Sequence, residues 1–447
     1  MKREKWSSNI GFLLAATGSA VGLGNIWKFP YVAGNNGGAI FILVYLLLIV
    51  ILGAPILLAE MSVGRHSQKN AIDACEAIRP GWGFVGMAGV FGAAVILSYY
   101  GVIGGWVTKY LADAVIGTQY ADTSAAFDTF SGSALSPVLY QAGFNIATLI
   151  TVAFGITNGI ERVSKISLPF LFVALIVIVA YTLTIPGAVD GVKFLIFPDP
   201  GHFKSIGDVG TLVVSAMGQV FFSLSLGMGT MITYGSYLDK DSNLQKNAVL
   251  VPVFDFMIAI LAGLATMSCV FAFGMKPDEG TGLLFKTLPA IFQKMQFGRA
   301  VSILFFALVL LAALTSSISL LQSIVAFLND RLKMNRTKAS ILTIIPVLII
   351  GVFNSLSFGP LAEHTLMGKT MFEWMNFLSD NVLMPFGGFS LCILVGYIWG
   401  VPNLIKEVSS DGKFTPRFTG ALQILYRYIL PAMIVVLFIV SLFTFFR

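Results

Sequence analysis

Asp255 lies in the apolar run Val253-Phe254-Asp255-Phe256-Met257, and nothing basic follows it within two helical turns. A carboxylate so placed in a membrane span marks an ion or proton path, because a cation or a proton must neutralise it. Neutral oxygens able to hold a hard monovalent cation recur in three other apolar runs. Gly18, Gly22 and Gly24 fall within seven residues, with Ser19 among them and Asn25 after them. Each glycine costs about 1 kcal/mol against alanine in a helix, so this run unwinds readily and exposes its carbonyls. A second break follows at Ser223-Leu224-Ser225-Leu226-Gly227-Met228-Gly229, and Thr315-Ser316-Ser317 places three hydroxyls in a row. Single hydroxyls in apolar helices also bond back to their own carbonyls or join helices; both roles stay open for these three. Glu60 is a second carboxylate within an apolar run, and Arg65 stands five residues on as an alternative partner for it. Two interrupted spans point to a transporter's binding site.

Hydrolytic or metal chemistry finds no residues here. Cys75, Cys269 and Cys392 are isolated and His66, His202 and His364 are scattered, so neither a zinc cluster nor a disulfide framework follows. No phosphate loop or nucleophile elbow is present, and an enzyme is not expected. The net charge of +6 reflects membrane topology and not nucleic-acid binding.

The elements that must position these groups are membrane spans. Of 447 residues 56% are hydrophobic and 11% charged, and the mean hydropathy of +0.85 excludes a soluble globular protein. Roughly 20 apolar residues cross a bilayer. Eleven stretches qualify, near 10–33, 38–63, 86–112, 140–157, 164–185, 210–237, 247–273, 299–329, 338–356, 377–400 and 422–445. The fold class expected is therefore an all-α polytopic membrane protein with eleven transmembrane helices in a single domain over 1–447. Its halves are about 10–185 and 210–400, with an extra helix at 422–445. With the N-terminus inside, 18 of the 28 Lys and Arg fall on inner segments, which sets the N-terminus in the cytoplasm and the C-terminus outside the inner (plasma) membrane. The basic start and the apolar run after it also have the outline of a signal peptide, but the polar residues up to Pro30 are not those of a cleaved leader.

Five motifs in order resemble the neurotransmitter:sodium symporter family. They are Gly18 to Pro30 with Asn36-Gly37-Gly38 after it, Gly159-Ile-Glu-Arg-Val-Ser-Lys165, Gln219 to Gly227, and Leu314 to Ser317. The resemblance runs over essentially the whole chain and is strongest to bacterial amino-acid transporters. It implies the leucine-transporter fold, in which spans 1–5 and 6–10 form an inverted repeat and helices 1 and 6 are unwound. It also implies two sodium ions. The first would be held by Ala20, Asn25, Ser223 and Asp255, and the second by Gly18, Val21, Ala312, Thr315 and Ser316. A neutral L-amino acid would sit among Ser19, Ala20, Gly22, Ile96, Tyr100, Phe222, Ser223, Ser225, Met228, Ser316 and Leu320, with the Tyr100 hydroxyl on its carboxylate and Phe222 as a lid.

By the same resemblance Arg3 and Asp330 form an inner gate with Trp6 and Tyr237, while the outer gate falls on Lys28 and Asn376, with Glu373 and Asp380 one turn to either side. Gly159 and Pro169 bracket a stretch of the fifth span that can unwind, and Glu60 is a structural acid. Ala259 occupies the position where animal relatives hold chloride, and it has no ligand oxygen. The function expected is sodium-coupled import of neutral hydrophobic or aromatic L-amino acids across the bilayer by alternating access, independent of chloride, with proton counter-transport through Asp255. The alternative is an ion channel or a transport-inactive sensor on the same scaffold. The chain has eleven spans where most of the family has twelve, which leaves the oligomeric state open.

Overall fold

The computed structural model describes residues 4–199, 201, 203, 205–275, 282–417 and 419–446. They are helical almost throughout, and the only extended pairing among them is the single bridge between Leu366 and Lys369. Among the described residues eight helices are long and apolar enough to cross a membrane: Ala39–Ser67, Gly83–Ile116, Ile156–Thr182, Leu244–Ala272, Gly298–Leu332, Arg336–Leu356, Met371–Ser409 and Thr419–Phe445. Two bent pairs raise that number to ten, Asn9–Ala20 with Gly24–Asn35 at 49° and Thr123–Ser131 with Ser136–Ala153 at 77°. The count of eleven expected from the sequence is thus not reached by length and composition. The remaining stretch, the sixth in order, is divided into Ile206–Ser223 and Thr230–Gly235, and neither piece passes alone.

Burial separates scaffold from periphery. The third span, Gly83–Ile116, is 78% buried over its most apolar stretch, whereas the last, Thr419–Phe445, is 22% buried and exposes Val435, Val436 and Ile439. Glycine explains how the third span is enclosed. A Cβ on Gly104 would lie 2.6 Å from the Phe144 ring, and one on Gly105 would lie 2.5 Å from the backbone nitrogen of Gln141. Small residues let helix backbones approach closely where the hydrophobic effect offers no drive between helices. The third span in turn supports Ile96 and Tyr100 against the breaks in the first and sixth.

Arg65 does not neutralise Glu60. Its buried guanidinium pairs with Glu407 (Nε to Oε1, 2.7 Å) and donates to the Ser242 carbonyl at 2.6 Å, tying the second span to the chain before the last one. Lys240 joins the same carboxylate at 3.0 Å. Glu407→Ala leaves that guanidinium without its counter-charge, a loss of about 3–5 kcal/mol when one partner of a buried pair is removed. A lower thermal midpoint in detergent is expected, with partial recovery in Arg65→Met/Glu407→Ala. An unchanged midpoint would show that the carbonyls alone satisfy Arg65.

Candidate functional site

The first span stops at Ala20 because Val21 turns extended (φ −73°, ψ 107°), and the helix resumes at Gly24. Gly22 makes the break possible. A Cβ there would lie 2.4 Å from Ser316 Oγ and 2.7 Å from Tyr100 Oη. The sixth span breaks after Ser223, where Ser225 (φ 54°), Gly227 (φ 75°) and Gly229 (φ 67°) take left-handed backbone. Ser225 is strained there as no glycine would be, and its hydroxyl donates to the Ser19 carbonyl at 3.1 Å. Glu60, fully buried, accepts from the Gly227 N–H at 2.7 Å. Its place is at the second break.

The expected first-ion residues meet. Asp255, with no exposed surface, accepts from Asn25 Nδ2 at 2.7 Å and from the Ser223 hydroxyl at 2.8 and 2.9 Å. Tyr45 on the second span donates to it at 3.3 Å, a contact that no sequence motif marks. Asn25 faces Asp255 with its amide nitrogen, while its Oδ1 accepts from Gly22 N at 3.1 Å. The amide oxygen anticipated as a ligand is thus on the Gly22 side, half a turn of the side-chain amide from the carboxylate. Ala20 ends the first helical segment and is 3% exposed.

The second expected set also converges. Ser316 Oγ reaches the carbonyls of Gly18 (3.5 Å), Ser19 (3.2 Å) and Val21 (3.2 Å), and Thr315 Oγ1 reaches that of Ala312 at 3.0 Å. Neutral oxygens spaced at 3.0–3.5 Å suit the shell of a hard cation that binds oxygens at roughly 2.3–2.6 Å. The two bland roles are present beside this one. Thr315 also bonds back to Leu311 at 3.1 Å, and Ser317 joins the fourth span through Thr148 at 2.7 Å. Among the described residues no cluster of His, Cys, Asp and Glu could hold a transition metal.

Between the two oxygen sets lies a tight cavity of about 20 Å³. Its wall is Ser19, Ala20, Gly22, Gly24, Ile96, Tyr100, Phe222, Ser225, Met228, Ser316 and Leu320. Of the expected pocket residues only Ser223 is missing from the wall, because its hydroxyl is turned to Asp255; Gly24 takes its place. Tyr100 Oη accepts from Leu23 N at 3.0 Å and has the Ser316 side chain as a second partner, so its hydroxyl sits on the cavity wall as a donor-capable group beside Ser316.

Closure on one side departs from expectation. Lys28 pairs with Asp380 at 2.9 Å, not with Asn376, because the full carboxylate charge stands one turn further along the helix. Asn376 lines the cleft beside the pair. Tyr99 fixes Asp380 at 3.2 Å, and Lys28 Nζ lies 4.3 Å above the Phe222 ring, so cation and lid form one unit. On the other side Trp6 donates to the Tyr234 carbonyl at 3.0 Å and stands edge-on to Tyr234 and Tyr237. Gln322 holds the Tyr237 hydroxyl at 2.8 Å, and Asp330 accepts from Asn70 N at 2.9 Å. Arg3 lies outside the described residues. Gly159 belongs to a π-helical turn, Ile156–Glu161, and Pro169 sits inside the helix that follows, Arg162–Thr182.

Comparison with known proteins gives a consistent result. A model of the Sodium:neurotransmitter symporter family matches residues 3–127 and 139–447. The sodium-dependent transporter YhdH of Bacillus subtilis is 38% identical over 444 residues, covering 98% of this chain and 97% of that protein. A sodium-dependent transporter of Methanocaldococcus jannaschii is 36% identical, covering 92% of this chain and 85% of its own. The crystal structure of MhsT in complex with L-phenylalanine superposes with a TM-score of 0.90 at 40% identity, covering 98% of this chain and all of that one.

Gly22→Ala drives a methyl into Ser316 and Tyr100. Overpacking of this kind costs about 1–3 kcal/mol, so the thermal midpoint should fall, and sodium affinity, followed by tryptophan fluorescence on sodium titration, should drop about ten- to hundredfold. Unaltered affinity would separate Ser316 from the cation set.

Proposed function

The chain belongs to the sodium:neurotransmitter symporter family of multi-pass membrane transporters, and from that premise we propose that it imports neutral hydrophobic or aromatic L-amino acids together with sodium. One observation carries this reading. Ser316 lies in the cavity wall and also touches three carbonyls of the broken first span. An amino acid in the cavity and a cation among those oxygens therefore share a residue, and each favours the arrangement that the other needs.

The cavity chemistry sets the substrate class. Ile96, Phe222, Met228 and Leu320 form its apolar side, without a charged side chain in the wall. A cationic or anionic side chain would enter without a partner at a cost of several kcal/mol. The Tyr100 O–H suits an α-carboxylate, and Met228 adapts to side chains of different shape. MhsT with its L-phenylalanine supports the aromatic end of the range. Because the space is tight, the wall must give way to admit a large side chain; Phe222 and Met228 are the movable members.

Two sodium ions, one at Ala20, Asn25, Ser223 and Asp255 and one at Gly18, Val21, Ala312, Thr315 and Ser316, supply the driving force. Asp255 gives the first a fixed counter-charge, and Ala259, fully buried and without a ligand oxygen, gives chloride nothing to bind. When sodium leaves, the Asp255 carboxylate takes a proton and carries it outward on the return step. The N-terminus and Trp6 face the cytoplasm, Lys28–Asp380 faces outward, and the two halves 10–185 and 210–400 move against each other around the breaks.

Proteoliposomes test this directly. Labelled L-phenylalanine should accumulate only under an inward sodium gradient, equally in chloride and gluconate, and Leu and Trp should compete where Glu and Lys do not. Equilibration without accumulation would favour a channel, sodium-dependent binding without uptake a sensor, and strict chloride dependence would end the role given to Asp255. Asp255→Asn should reduce sodium-driven uptake severely and abolish the substrate-linked alkalinisation of the lumen that outward proton return produces; a variant with normal proton movement would remove Asp255 from that step.

A further inference from the structure

Glu161 is a buried carboxylate that neither the cavity nor the ion sets use. It closes the π-helical turn at the start of the fifth span, and its side chain has no exposed surface. Its Oε2 accepts from the Ser7 backbone N–H at 2.9 Å, its Oε1 accepts the Ser7 hydroxyl, and Lys165 pairs with it at 2.6 Å. Opposite stands Gly11 of the first span, where a Cβ would lie 2.0 Å from Oε1 and 2.3 Å from the carboxyl carbon. Only the missing side chain lets the carboxylate seat between the two helices. Two turns further along the first span, a Cβ on Gly18 would lie 3.5 Å from Ser164 Oγ and 3.4 Å from Thr315 Cβ, so the fifth and eighth spans pack closely there as well.

Further contacts stitch the same crossing. Glu4 accepts from Ile156 N at 2.8 Å and pairs with Arg336 at 2.8 Å, and Thr157 donates to the Lys5 carbonyl at 3.2 Å. Beyond them the fifth helix is weak. Pro169 cannot donate to the carbonyl of Lys165 and crowds it. The Glu161–Lys165 pair clasps that turn in the favoured order, acid before base at i and i+4.

We propose that Glu161 is a positioning residue of the transport cycle, which holds the start of the first span and the inner turns of the fifth closed as one unit over the Gly18–Thr315–Ser316 oxygens. This rests on the reading of those oxygens as a sodium site. Once Ser7 withdraws, Glu161 keeps only Lys165, whose side chain is 43% exposed. A buried carboxylate with that single partner follows it into water, so the N-terminal segment and residues 159–169 open together.

The test uses the full-length protein with Ser164→Cys as reporter and a membrane-impermeant maleimide on the N-terminal face. With sodium present, Glu161→Gln should raise the alkylation rate about tenfold, the loss of one or two charge-assisted hydrogen bonds. Gly11→Ala changes no charge and displaces the flexible carboxyl end, so it should reproduce that rate, and the double variant should react no faster than either. Sodium-free rates should differ little among all four proteins, which a general loosening of the fold would not give. Unchanged alkylation in Gly11→Ala or in Glu161→Gln, or a double variant that multiplies the two effects, overturns the proposal. If Glu161→Gln fails to fold, Gly11→Ala decides alone. Sodium-dependent L-phenylalanine binding by the reporter protein is measured alongside. Its absence would refute the sodium-site reading, whereas its presence with unaltered alkylation rates would refute the role of Glu161.

Discussion

Two helices of this protein break inside an apolar slab, and every backbone group freed there needs a partner that water does not provide. The rest of the structure follows from how those partners are supplied. Leu23 N–H is taken by the Tyr100 hydroxyl, the Gly24 carbonyl by Gln219, the Ser19 carbonyl by Ser225, and Gly227 N–H by Glu60. Tyr100, Ser19 and Ser225 are also walls of the cavity. The groups that make the breaks tolerable are therefore largely those that face the cargo. A substitution that serves one role alone disturbs the other, which is why Gly22 and Ser316, in contact range of each other, leave so little freedom.

Charge obeys the same constraint. Asp255, Glu60, Arg65 and Glu161 are all withdrawn from solvent, and each is met by donors or a counter-charge drawn from a distant part of the chain, Ser7 in the case of Glu161. These pairings join separate elements of the bundle: the second span to the helix ending at Ser409, the first to the fifth, and Lys28 to the tenth through Asp380. A single Lys–carboxylate contact lacks the two-pronged geometry of arginine. At this closure Lys28 compensates by lying over the Phe222 ring as well.

Much of the site was legible in the sequence because its chemistry is local. Glycines and hydroxyls in apolar runs announced both breaks and the Thr315–Ser317 cluster, and an unpaired Asp255 announced a charged centre. Partners from afar were not legible. Tyr45 reads as an ordinary aromatic in an apolar span, yet the helix register turns it to Asp255. Arg65, five residues from Glu60, is carried by its helix to Glu407. Lys28 meets Asp380 and not Asn376, a one-turn difference that position along a helix cannot decide without its rotation. Glu161 lay within a recognised motif, but its contacts with Ser7 and Gly11 exist only once the first and fifth spans cross. In the fold, the apolar stretches gave the elements, while length and composition failed for the sixth because its break divides it into two short pieces.

The central claim is that cation and amino acid share one broken-helix site through Ser316. The most direct measurement is equilibrium binding of labelled L-phenylalanine to the purified protein over a sodium titration, paired with sodium titrations at fixed phenylalanine. The account predicts that each ligand raises the apparent affinity of the other by the same factor, as linkage requires, and that Ser316→Ala shrinks that factor in both directions. Equal phenylalanine affinity in sodium and in choline would contradict it.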